Sequence, residues 1–199
     1  MALLPPSDDP GWRPAMQGIW WLLIPGQLIR QQRRGAQAGV NGLTMFRRVF
    51  LSFVVALVLI GVVVVVLSST RALDRPALPI AVVAGAIIAL GAAGLAAPGV
   101  VQRPLDCSDD ARLAASYRTR FFVRVASSEV ASLAGFAGFV LTNAWWLYAL
   151  GAAFTATGYY RLAPTAANLA KDQRLLGDAS CSRSLISALA QIPAPDGPR

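Results

Sequence analysis

The chain has 199 residues, 55% of them hydrophobic and only 14% charged, with a mean hydropathy of +0.53. A soluble domain is about one quarter charged, so a water-dissolved globule is excluded, and the apolar residues fall in long blocks suited to lipid. The net charge of +8, carried without a histidine, sits at the edges of those blocks, which fits anionic headgroups and topology bias and speaks against a nucleic-acid groove.

In chain order, residues 1–48 read as a cytoplasmic tail. Within it, PAMQGIWWLLIPGQLIRQQRRG (14–35) has an apolar core too short to span, interrupted by Pro25-Gly26. Its arginines follow the apolar part, the reverse of a secretory signal. The segment predicts an interfacial amphipathic helix, with Trp20 and Trp21 in the headgroup zone and Arg30, Arg33 and Arg34 on lipid phosphates.

The first uncharged block, VFLSFVVALVLIGVVVVVL (49–67), is about 28 Å long as a helix, close to a hydrocarbon core of about 30 Å. Its valines disfavour a helix in water, but in lipid an unpaired backbone costs more than restricted rotamers. The second block, LPIAVVAGAIIALGAAGLAA (78–97), is entered through Pro79 and is expected to end at Pro98-Gly99. Together these form a first transmembrane hairpin over 49–97.

Residues 98–120 read as a cytoplasmic linker. Its LDCSDDARL stretch (105–113) is expected to open a helix, with Ser108 or Asp109 capping the segment from Ala111. The third block, 121–141, and the fourth, WWLYALGAAFTATGYYRLA (145–163), form a second hairpin over 121–163. Trp145 and Trp146 at one end of the fourth block, and Tyr159 and Tyr160 at the other, read as an aromatic belt. In the cytoplasmic tail 164–199, Leu169, Leu175 and Leu176 suggest a short surface helix, and the final IPAPDGPR is expected to be disordered.

This gives an all-α membrane protein of four transmembrane helices in two hairpins, plus an N-terminal interfacial helix. Sixteen of the eighteen basic residues fall in the tails, the linker, the adjoining start of the third block and the end of the fourth, at Arg161, leaving only Arg71 and Arg75 across the membrane. The positive-inside rule therefore puts both termini in the cytoplasm. On that topology Cys107 and Cys181 are expected to be reduced thiols.

Small residues recur on two spans. Ala81, Gly85, Ala89, Ala93 and Ala97 form one stripe, and Ser127, Ala131 and Gly135, with Gly138 a turn on, form another. Such stripes let helices pack closely in lipid, within this chain or against other chains.

Glu129 is the only glutamate, about two residues, or 3 Å, from the middle of the third block. A charged carboxylate there costs at least about 2.5 kcal/mol, so a neutral form facing spans two or four is expected. The candidate partners are Ser128 and Ser132 on its own helix and Thr155 and Thr157 on span four. Together Glu129, Ser132 and Ser128 are the candidate proton or cation site.

The stretch SSEVASLAGFAGFVL (127–141) resembles the acid-bearing helix of the proteolipid ring subunit of rotary ATP synthases, with Glu129 followed by Leu133 and Gly135. It is also similar to a loose group of uncharacterised bacterial four-span membrane proteins, in which such a helix leads into a last span ending near Pro-Thr, here Pro164-Thr165. The ring-subunit resemblance implies that the carboxylate carries a proton, a role open only to Glu129. Here a further span follows the acidic helix, and Gln102-Arg103-Pro104, the echo of that family's polar loop, precedes it.

No Walker loop, GxSxG, CxxC or pair of carboxylates within one span is present, and there is no histidine to act as a base. The expectation is a non-enzymatic protein without cofactor or metal, held among anionic lipid headgroups. Its partners would be other membrane subunits or further copies of itself, and no nucleic acid. It reads as an accessory or assembly subunit of a larger complex in the bacterial inner membrane, with proton or cation translocation through Glu129 as the alternative.

Overall fold

The structure, a computed structural model, describes residues 10–16, 41–70, 78–100, 105–178 and 181–190. In order the elements are α1 (Arg13–Met16), α2 (Gly42–Thr70), α3 (Ile80–Val100), α4 (Asp110–Thr142), α5 (Trp145–Leu162), α6 (Ala166–Asp178) and α7 (Leu185–Ala190). The described residues contain no strand. Three helices, α2, α3 and α4, are long and apolar enough to cross a bilayer, so the chain is an all-α membrane protein. Helix α5 has 18 residues but carries a tyrosine pair and Arg161 in its last turns. Trp20, Trp21, Arg30, Arg33 and Arg34 of the expected interfacial helix lie outside the described residues, as does the final IPAPDGPR.

Helix boundaries run well past the apolar blocks at the start of α2, the end of α3 and the start of α4. Helix α2 begins at Gly42 rather than at Val49, with the Asn41 side chain accepting the Leu43 N–H at 2.9 Å. Helix α3 continues through Pro98-Gly99 to Val100. The second half of the expected linker is helical, because α4 starts at Asp110 and runs unbroken into the third block. Asp109 caps it, accepting the Arg112 N–H at 2.7 Å.

The chain divides into two compact units. The first draws on Met1–Phe53, Leu105–Arg118 and Pro164–Arg199 and has an apolar core of its own: Leu43, Phe46, Leu113, Leu169, Leu185 and Leu189 are all buried. Arg47 is fully buried among them. A buried cation is tolerated only if paired or hydrogen-bonded, and this one stacks 5.2 Å from the Trp12 ring while donating from Nε to the Pro164 carbonyl at 3.1 Å and from Nη1 to the Gly11 carbonyl at 2.8 Å. Phe46 packs against Tyr117 at 6.0 Å between ring centroids, and the Tyr117 hydroxyl donates to Asp172 on α6. The tail helix forms as its leucines suggest, with Leu169 and Leu176 buried, Leu175 exposed and Thr165 accepting the Asn168 N–H.

Cys107 and Cys181 are joined in a disulfide with Cα atoms 6.0 Å apart, which corrects the expectation of two free thiols. The sequence places them 74 residues apart, and Arg183, two residues after Cys181, ties the same two segments together. Its guanidinium donates to the Cys107 carbonyl at 3.1 Å, the Ser108 carbonyl at 2.8 Å and the Asp110 carboxylate at 2.8 Å. Asp106 accepts the Ser108 N–H, and hydrogen bonds from Ser108, its side chain first, hold the Asp106 carboxyl below its ordinary value. The three aspartates near Cys107 are thus engaged in folding this corner.

The second unit draws on Val54–Pro104 and Thr119–Ala163 and inverts the usual order of inside and outside. Val58, Val62, Val65, Val82, Ile88 and Leu133 are all exposed, as lipid-facing side chains must be. The apolar window of α4 is 44% buried against 11% for α2 and 17% for α3, so α4 is the central helix. Its small residues meet α5: a Cβ on Gly135 would lie 2.6 Å from the Leu147 carbonyl oxygen, and one on Gly151 would overlap the Ala131 carbonyl. These contacts run in opposite chain order, an antiparallel pair turned by Asn143, whose φ of 57° is one that asparagine tolerates better than most residues. Helix α2 joins through Val64 against Phe139 and Tyr148, and the Tyr148 hydroxyl donates to the Leu57 carbonyl.

Helix α3 packs by a different face from the one its small-residue stripe suggested. Ala81, Gly85, Ala89 and Ala93 are exposed, and a Cβ on Gly85 would meet nothing within 4 Å. The face turned inward carries Ile87, Gly91 and Gly94: Gly91 lies under the Phe154 ring and Gly94 against the Ser127 carbonyl. A large Ile87 flanked by glycines interlocks with the α4 and α5 surfaces better than a run of alanines, which is the physical reason for the rotation.

Candidate functional site around Glu129

The site is built by the close approach of α4 and α5. Gly158 has no side chain, and any Cβ there would overlap the Ser128 hydroxyl. The α5 backbone therefore abuts α4 one residue before Glu129, and the next residue on α5, Tyr159, is carried round to meet the carboxyl. The Tyr159 hydroxyl donates a hydrogen bond to Glu129 Oε1. Tyr159 is 4% exposed, whereas Tyr160 is 83% exposed.

Tyr159 was expected as one of a pair marking the membrane interface, so its burial against the acid reassigns it. Tyr160, Trp145 and Trp146 remain on the outside. The Glu129 partner also differs from the hydroxyls anticipated. Ser132 is buried and donates to the Glu129 backbone carbonyl at 2.9 Å rather than to its side chain, and Ser128 donates to the Arg124 carbonyl at 2.9 Å. Thr155, fully buried, donates to the Ser128 carbonyl at 2.8 Å, and Thr157 donates to the Ala153 carbonyl on its own helix. Serine and threonine inside a helix satisfy themselves on carbonyls three or four residues back. A phenol reaches further and has no such local outlet.

The arrangement joins a carboxyl and a phenol in a half-buried setting at a helix crossing. It can hold a proton between two oxygens and it can lock two helices in register. Among the described residues no group of three or more His, Cys, Asp or Glu side chains gathers to hold a metal. The signal for Tyr159 in the sequence was its place beside Gly158 in TGYYR: a small residue next to an aromatic at the close-packed end of a span.

Ala131, Gly135 and Gly138 are buried on the same face of α4. A Cβ on Gly138 would lie 2.8 Å from Val83 of α3. Compared with protein-family models, with curated proteins and with solved structures, the chain matches none.

Proposed function

We propose that this chain is a non-enzymatic membrane protein of four crossings in two hairpins, with both termini cytoplasmic, acting as an accessory or assembly subunit of a larger complex in the cytoplasmic membrane. The observation that carries the reading is the outward stripe Ala81, Gly85, Ala89 and Ala93 on α3. The glycines that serve the chain's own packing sit against neighbouring atoms, while Gly85 is open. A span that turns a run of small residues away from its own bundle offers another helix close backbone approach, the main source of association in lipid.

Parity supports the fourth crossing. Arg47 precedes α3 and the apolar part of α2, Pro164 follows α5, and the two are hydrogen-bonded. A chain whose two ends share one side crosses an even number of times, which favours a crossing by α5 beside those by α2, α3 and α4. For orientation, two observations oppose each other: the basic residues favour a cytoplasmic position for the first unit, and its disulfide favours an oxidising compartment. Basic residues act at insertion, before any disulfide closes, and we give them the greater weight.

Purification from native membranes in a mild detergent, with identification of co-purifying proteins, tests the reading. Gly85→Leu should release the partner while the chain stays folded. A parent chain that elutes alone as a monomer would refute the assembly role.

A second reading, proton or cation translocation, is favoured by Tyr159. The carboxyl has gained a second ionisable group in contact with it, the kind of step a proton path needs. In reconstituted vesicles Glu129→Gln would abolish flux under that reading and leave the assembly role intact.

A further inference from the structure

A second polar feature of the membrane unit takes no part in the Glu129 pair. Between the ends of α3 and α5 and the early part of the apolar block of α4 lies a cleft of about 170 Å3, lined by Arg124 and Arg161 together with Leu95, Gly99, Ser128 and Gly158. We propose that this cleft binds a phosphate group, carried by an anionic lipid or free in solution.

Charge points to an anion. Two arginines line the cleft and no acidic residue does. Helices α3 and α5 end beside it, and each C-terminus presents about half a negative charge, attenuated within a turn. Two full positive charges outweigh two partial negative ones.

Geometry points to phosphate among anions. The planar fork of an arginine matches a phosphate's oxygens two at a time, and two arginines from different helices can share one phosphate between them. The Ser128 hydroxyl is directed to the Arg124 carbonyl, so it serves as wall rather than donor. Gly158 keeps that wall low.

Size limits the ligand. Pockets for whole cofactors or drug-sized molecules run from about 300 Å3 upward, so this cleft admits a headgroup fragment with the rest of the molecule outside. Its position suits that division. Arg161 lies in the last turn of α5, and Arg124 lies less than a turn into the apolar block of α4, so both stand where the third span begins and the fourth ends. Tyr160, adjacent to Arg161, is almost wholly exposed, an aromatic at headgroup level.

The test uses the full chain purified in mild detergent and native mass spectrometry with phosphatidylglycerol or phosphatidylcholine of the same acyl chains. The parent should retain phosphatidylglycerol about tenfold more tightly, the worth of one charge-assisted contact. Arg124→Gln with Arg161→Gln should bring retention down to the phosphatidylcholine level, with helicity and elution volume unchanged. Should the double variant misfold, the exposed Arg161→Gln alone carries the test. Arg174→Gln, an exposed charge on α6, should change nothing.

A separate arm titrates inorganic phosphate and follows the unfolding temperature: a rise that Arg161→Gln abolishes assigns the cleft to free phosphate, and its absence together with lipid selectivity assigns it to lipid. Equal retention of the two lipids with no response to phosphate overturns the proposal. So does a loss of selectivity in Arg174→Gln equal to that in Arg161→Gln, since surface charge alone would then account for it.

Discussion

The Tyr159 hydroxyl donates to the carboxyl of Glu129, thirty residues earlier in the chain and on the neighbouring helix. The serines and threonines around it are turned onto backbone carbonyls, and this bond links the acid to α5. Tyr159→Phe should therefore lower stability by about 1 kcal/mol, measured by reversible unfolding in mixed detergent micelles. Glu129→Gln keeps an oxygen acceptor and should be nearly silent in the same assay. Glu129→Leu strands a buried phenol and should cost about 1–3 kcal/mol, a loss that Tyr159→Phe added to Glu129→Leu should partly restore.

Glycines separate the inner faces from the outer one. A methyl on Gly151 meets the Ala131 carbonyl, which is backbone and cannot rotate away. Gly151→Ala should destabilise the α4 and α5 pair by about 1–3 kcal/mol, the usual cost of overpacking. Gly85→Ala has open space around it and should leave unfolding unchanged. Unfolding in the same micelles compares the two.

Arg47 organises the first unit. Arg47→Met keeps much of the volume but removes the donors to the Pro164 and Gly11 carbonyls and the stack on Trp12. The expected loss is about 2 kcal/mol or more. Arg47→Lys should recover only part of it, since an ammonium lacks the fork that serves both carbonyls. Quenching of Trp12 fluorescence, in a chain whose other tryptophans are replaced by phenylalanine, reports the exposure of that corner.

Orientation is open to direct labelling. With both termini cytoplasmic, Ser69→Cys and Ala144→Cys should react with an impermeant maleimide in intact cells. Cys107 and Cys181 should stay unlabelled even after a permeant reductant opens their bond. Labelling of that pair in sealed cells after reduction would place the first unit outside and show that the disulfide, rather than the basic residues, reports the compartment.

Much of this fold was legible because lipid simplifies the reading: an uncharged run of the right length has one conformation open to it, and α2, α3 and α4 follow. The cap at Asp109 and the tail helix through Leu169 and Leu176 were local signals and equally plain. Pairings were not. The Cys107 to Cys181 bond depends on where Arg183 lands after a long excursion of chain, and the position of Tyr159 depends on Gly158 letting α5 slide against Ser128. The α3 stripe left its partner open for a related reason: small residues mark where a helix can be approached, and only the shapes of its neighbours decide which approached face belongs to the chain itself.

The disulfide between Cys107 and Cys181 also changes how this protein can be dismantled. It closes the chain into a covalent loop that holds all of α4 and α5, with the Asn143 turn at its far end. A protease that nicks that turn separates nothing: the halves stay tied and part only on a reducing gel. A processive protease pulling from the tail meets the mirror problem, because at Cys181 the single strand becomes two and a pore sized for one must admit both. For such a protease, pulling out the second helix pair as a single strand requires that one bond to be reduced first.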